Sequence, residues 1–324
     1  MHNNRRQFYI FDLELASRKA GASIPSMNDV VPVLQLMKNT ARTYTLRSNT
    51  ATMLIGDMSV DPIQQFVTLL VRLSDTSTPN SVYSDPVAGK FYEHKKIGKI
   101  GSDFGCHVLI STAPEKGLSN IYTCAIVRIN GLNFDLVRRF ISKLLNFQYI
   151  DDDEFYSYLH PAGGLDVNNQ PRRVRCCPHV KLRGRPSDTL VNDINAGRIS
   201  GMSLIKIEAA TPIGGAPYLT RSKSELKLGI DHKNLPVNLW ASLSQVMKKN
   251  SGTYNTAEVK YRIPDSNRTV TVEIDAATGS PLSEMYILSY ELSRIYPFLA
   301  QSAMNIVSHL HILAVPQFLA NRNI

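Results

Sequence analysis

Six basic side chains, Arg172, Arg173, Arg175, Lys181, Arg183 and Arg185, fall between Asn169 and Ser187 with no carboxylate among them; the nearest acids, Asp166 and Asp188, stand just outside. Residues of these types in one run suit phosphate. Guanidinium forks match paired phosphate oxygens, and a lysine adds a point charge. Val174, Cys176, Val180 and Leu182 supply apolar positions among the charges. The run is therefore expected to join a sheet and present its charges on an exposed face or edge. The structural alternative is an edge strand guarded by charge against aggregation, although such guarding seldom needs six charges of one sign.

A second set of cations lies on the helix expected over Asn133 to Phe147. Phe134, Val137, Phe140, Ile141, Leu144 and Leu145 form its apolar stripe, while Arg138, Arg139 and Lys143 fall elsewhere on the wheel. Arg139 and Lys143 are one turn apart, and the three could extend the same positive field. Asn133 suits the N-cap, and Asp135 complements the positive end of the helix dipole.

The whole chain carries the same sign. Its 36 lysines and arginines against 27 acids give +9 over 324 residues, a charge that attracts polyanions but leaves the fold open. An apolar share of 43% supplies a core and excludes disorder of the chain as a whole.

Other chemistries find less support. "GKIGSDFG" lacks the spacing of a phosphate-cradling loop, and "GASIPS" is not a nucleophile elbow. A metal-dependent nuclease needs clustered carboxylates. Glu258 and Lys260 share a strand face, but the nearest upstream acid, Asp231, lies a whole helix away. Lys206 and Glu208 come in the reverse order, with Asp193 upstream. The acidic run Asp151 to Glu154 is expected to stay solvated. Cys106, Cys124, Cys176 and Cys177 make no disulfide framework, and Cys176-Cys177-Pro178-His179 has no second pair at zinc spacing. Neither a metal nor a cofactor is expected. No zinc finger, helix-turn-helix or aromatic RNA-binding sheet stands out, so any nucleic-acid binding should be phosphate-driven and salt-sensitive.

The expected fold class is α+β. Strand-like runs dominate a first domain, 1–165, and the Gly-containing "HPAGGLDVNNQP" is the expected connection. A second domain, 166–324, opens with the basic strand and runs β-α-β-β-α from Met202. "PDSN" turns its hairpin, and "PLSEMYILSYELSRIY" (Pro281 to Tyr296) is its last amphipathic helix. An apolar helix over Tyr296 to Ala320 follows, with Phe298, Leu299, Ile306 and Leu310 as the expected dimer contact. Gln301, Asn305, His309 and His311 interrupt it, which argues against membrane insertion. "MHNNRRQFYIFDLEL" holds no long apolar run, so neither signal peptide nor anchor is expected, and the location is read as cytoplasmic.

The order "IYTCAIVRINGLNFDLVRRFISKLL", basic strand, "GRISGMSLIKIEA" resembles the RexA-type phage-exclusion proteins of lambdoid prophages. The resemblance covers about the middle third of the chain in pattern. It implies a cytoplasmic, homodimeric protein that binds double-stranded DNA without sequence preference and signals to a separate effector. The basic residues above would be its DNA face. The alternatives are a nuclease effector built on Glu258 and Lys260, or on Glu208, and an interaction module with an acidic protein partner.

Overall fold

A computed structural model describes residues 4–17, 22–98, 100–160, 162–213, 216–262 and 268–324, with the side chains of 207–222 outside the description. The fold is α+β, as expected, with mostly antiparallel sheets. The chain divides into one unit made of Met1–Leu182 with Tyr290–Ile324, and a second, Arg183–Ser289, inserted between them.

The first unit is built on an eight-stranded sheet. Its strands are β1 (Arg6–Ser17), β2 (Tyr44–Leu46), β3 (Ala51–Asp61), β4 (Phe66–Asp75), β7 (Ser102–Ser111), β8 (Ile121–Val127), β11 (Pro178–Gly184) and β16 (Ser289–Leu292). They run in the order β11-β1-β8-β7-β4-β3-β2, and β16 also pairs with β1. "FVTLLV" in β4 is buried at every position because both sheet faces are covered. Helix α1 (Met27–Asn39) starts at a capping box between Ser26 and Asp29. Helix α2 (Phe134–Asp151) starts where Asn133 accepts the Leu136 N–H. Phe134 packs on Tyr9 and Phe11 of β1, which fixes α2 against the sheet.

Two short hairpins leave this sheet. β5 (Ser81–Asp85) and β6 (Lys90–His94) pair with every residue exposed. β9 (Ser157–Leu159) and β10 (Arg173–Arg175) pair beyond the end of α2. The expected interdomain connection, "HPAGGLDVNNQP", is the loop of this second hairpin. Arg172 N donates to Gly164 O and His160 N to Arg172 O, and Leu165 bridges Pro171, so the chain doubles back instead of crossing between domains. The division comes at 182/183, not near 165, because the chain enters and leaves the second unit through β11 and β16, two strands of the first unit's sheet.

The second unit contains α3 (Asp188–Asn195), β12 (Ile199–Ile213), β13 (Ala216–Leu228), α4 (Leu239–Asn250), β14 (Thr256–Arg262) and β15 (Thr269–Asp275). Its sheet order is β13-β12-β14-β15. Leu190 and Ile194 of α3 and Leu239, Leu243 and Met247 of α4 share a core with Met202, Leu204, Val259, Val272 and Ile274 of the strands. β13 occupies a region expected as loop. "SELKL" alternates charged and apolar residues as an edge strand does, but its short apolar content hides it. The expected "PDSN" turn lies outside the described residues.

Two C-terminal expectations are corrected. Pro281 to Tyr296 is not a helix but a single 3-10 turn, Glu284–Tyr286, followed by β16. Glu291 is exposed and Leu292 buried, an alternation that suits the pairing with β1. The apolar tail is helical only over α5 (Ser308–Ala320). The chain before it is strapped to the sheet: Gly105 N donates to Gln301 O at 3.1 Å, Ile306 N to Asp57 at 3.0 Å and Val307 N to His107 Nε2 at 2.9 Å. Glycine at 105 lets the strap lie close: a Cβ there would be 2.7 Å from Ser302 Oγ and 3.2 Å from Ser302 Cα, so a larger residue would push the strap outward. Phe318 of α5 packs on Phe66.

Candidate nucleic-acid interface

β10 and β11 carry one alternation through the chain between them. Val174, Cys176, Pro178 and Val180 are buried, and Arg173, Arg175, Cys177, His179 and Lys181 take the opposite positions. β11 is an edge strand, as the guarded-edge reading requires. α2 closes its free edge: Ser142 accepts the Val180 N–H at 3.0 Å, and Arg138 donates to Val180 O at 3.4 Å.

Between α2 and β11 lies a cleft of about 480 Å³, lined by Tyr44, Arg138, Arg139, Ser142, Lys143, Asn146, Cys177 and His179. None of these residues is acidic. Asp135, in the first turn of α2, holds the two arginines, Arg138 at 2.7 Å and Arg139 at 2.9 Å. Lys143 donates to Asn146 at 3.2 Å and lies 4.9 Å from the centre of the Phe147 ring, which Arg42 also covers at 4.6 Å. The arrangement is a concave positive surface on a rigid helix, suited to an anion with several oxygens.

The six residues of the basic run differ in their exposure and partners. Arg172 is exposed, and Arg173 is exposed while hydrogen-bonded to Ser157 Oγ at 2.9 Å. Arg175 turns inward. It pairs with Asp153 at 2.7 Å, donates to Tyr149 O and lies 4.3 Å from the centre of the Tyr149 ring, so its charge fastens the end of α2 to the hairpin. Lys181 pairs with Glu14 of β1 at 3.2 Å. Arg183 and Arg185 belong to the second unit. In and beside the hairpin, the phenols of Tyr158 and Tyr156 stay protonated; burial first, then neighbouring groups, pushes Tyr158 up to about 12.

The acidic run is largely exposed, as expected, and three of its members also take partners. Asp151 pairs with Arg42 at 3.3 Å, Asp152 accepts the N–H groups of Glu154 and Phe155, and Asp153 holds Arg175. Of the nuclease residues, Glu258 meets one further acid, Glu273, across the strand pair, and Lys260 meets none. Glu258 pairs with Lys223 at 3.6 Å, while Lys260 stands opposite Thr271. Asp231 closes its own turn with Lys233 and Asn234, and Asp193 holds Arg198. The side chain of Glu208 lies outside the described residues. Among the described residues, no three His, Cys, Asp or Glu side chains are grouped to hold a metal ion.

Of the expected dimer contact, Phe298 is 64% exposed, whereas Leu310 is 1% exposed and part of its own unit's core. Leu299 and Ile306 are half-buried. Among the described residues, no helix is long and apolar enough to cross a membrane.

The residues missed from sequence are Tyr44, Ser142, Asn146, Cys177 and His179. The helical part had a signal: Arg138, Ser142 and Asn146 follow at steps of four and so form one row on α2. Comparison of the chain with protein-family models, curated proteins and solved structures finds no match.

Proposed function

We propose that the chain binds double-stranded DNA by its phosphates, largely without regard to sequence, and performs no chemistry on it. The observation that carries this reading is the cleft of α2 and β11, where Arg138, Arg139 and Lys143 converge without a lining carboxylate. The exposed Arg172 and Arg173 of the β9–β10 hairpin add a second positive element in the same unit. The net charge of +9 has the sign that draws a polyanion to both. Phosphate contacts position a protein on DNA without reading bases. The resemblance to phage-exclusion proteins gives the biological setting we attach to this activity: a homodimer that reports phage DNA to a separate effector.

The test is binding to labelled duplexes of unrelated sequence, from low to physiological salt, with Mg²⁺ present and the DNA afterwards run on a gel. Similar affinities that fall steeply with salt, with the DNA intact, are expected. An Arg139→Ala/Lys143→Ala double variant should flatten log K against log salt by about 0.9 for each phosphate no longer neutralised. Absence of binding at every salt concentration would end the proposal, and cut DNA would replace it with the nuclease.

A further inference from the structure

The cleft has the size of a site for one phosphate-bearing unit. It is a concave space of about 480 Å³, within the roughly 300–1,000 Å³ typical of small-ligand sites. Its charge points the same way. Of three permanent cations, Arg138 and Arg139 share the carboxylate of Asp135 while Lys143 donates to neutral Asn146, which leaves a balance of two positive charges. An internal phosphodiester offers a single negative charge. A phosphomonoester carries about 1.5 to 2 at neutral pH and presents three acceptor oxygens. The remaining lining suits the rest of a nucleotide: Tyr44 supplies an aromatic face, and Ser142 and Asn146 supply hydrogen-bonding groups beside it.

Resting on the nucleic-acid reading above, we infer that the α2–β11 cleft is a site for a phosphomonoester-bearing nucleotide, either the terminal unit of a DNA strand or a free nucleoside monophosphate. Arg139 and Lys143 hold the phosphate, with Arg138 beside them on the β11 side. The rest of the duplex lies outside the cleft, against the exposed cations Arg172 and Arg173. On this view the protein prefers DNA ends to continuous DNA.

The experiment compares four forms of one labelled duplex, with 5′-phosphate, 3′-phosphate and hydroxyl ends and as a covalently closed circle, by competition at fixed salt. Adenosine and thymidine monophosphates are titrated calorimetrically alongside. At least one phosphorylated end should bind ten-fold or more tighter than hydroxyl ends and the circle. Arg139→Gln and, separately, Lys143→Gln should erase that preference, the second variant guarding against a folding defect in the first. Tyr44→Ala should weaken the monophosphates several-fold.

Equal binding of all four duplexes, with no heat from either nucleotide, overturns the inference while leaving general DNA binding in place. Nucleotide binding without DNA binding keeps the site, assigns it to a free nucleotide and overturns the nucleic-acid reading. Loss of both sinks the two together.

Discussion

Ser142 of α2 accepts the backbone N–H of Val180 at 3.0 Å, and so a helix side chain supplies the hydrogen bond that a neighbouring strand would give the free edge of β11. Arg138 does the same for the Val180 carbonyl at 3.4 Å. The cleft exists because α2 is held at this distance from the strand. Val180 is fully buried, so its N–H has no water to turn to. Ser142→Ala is therefore expected to cost about 1–3 kcal/mol, the penalty of an unsatisfied buried donor. Urea unfolding measures it; an unchanged midpoint would mean that the edge does not depend on α2.

Arg175 stands in the middle of the basic run and yet is not expected to hold DNA. Its guanidinium is committed to Tyr149 O, the Tyr149 ring and Asp153. Asp153 is 83% exposed, so the ion pair itself adds little. The carbonyl bond and the ring contact should together be worth about 1–2 kcal/mol. Arg175→Ala should lower the melting temperature and leave the salt slope of DNA binding alone. Arg172→Ala/Arg173→Ala should do the reverse. If Arg175→Ala melts normally and binds DNA poorly, the inward reading of this side chain is wrong.

Much of the fold is legible in local pattern. Asn133, Asp135 and the stripe from Phe134 to Leu145 announce α2 by their spacing alone, and β4 stands out by its run from Phe66 to Val71, apolar but for Thr68. The inserted unit cannot be read this way. Glycines and prolines mark turns, and "HPAGGLDVNNQP" is a turn, but the unit boundaries fall inside β11 and β16, where nothing in composition changes. β16 is hidden by its length, since four alternating residues fit a helix or a strand and only the pairing with β1 decides. The basic run is legible as charge. Which of its members are committed to partners is not, because Glu14 and Asp153, the partners of Lys181 and Arg175, are distant in sequence or on a different element.

The C-terminal helix offers a direct contrast between a subunit contact and a core. Leu310 is buried within its own unit, near a small cavity it lines with His107, Leu299 and Val307. Leu310→Ala should cost about 2–5 kcal/mol as a large-to-small core substitution. Sedimentation of the folded variant should show the same subunit count as the parent. A change of assembly without a loss of stability would return this residue to an interface.

The strap before α5 makes stability depend on pH through His107. Val307 N donates to His107 Nε2, so the imidazole must be neutral there, with its proton on Nδ1. Burial first, then the charges of His311 and Arg6, pushes its pKa down to about 4, and Asp57 opposes this only in part. In the unfolded chain the same group titrates near 6.5. As pH falls through that value, the unfolded chain takes up a proton that the native state refuses, and stability drops until the folded pKa is reached. The loss between about pH 6.5 and pH 4 is on the order of 3 kcal/mol for this group. His311, whose pKa burial also lowers, adds to it with the same sign. Asp57 and Asp75 have carboxyls held below their ordinary range, so their contributions disappear only at lower pH. Urea midpoints at pH 7 and pH 5 should therefore differ markedly in the parent. They should differ much less in His107→Gln, whose amide oxygen can still accept from Val307 without titrating. An equal loss in both proteins would move the pH dependence away from His107.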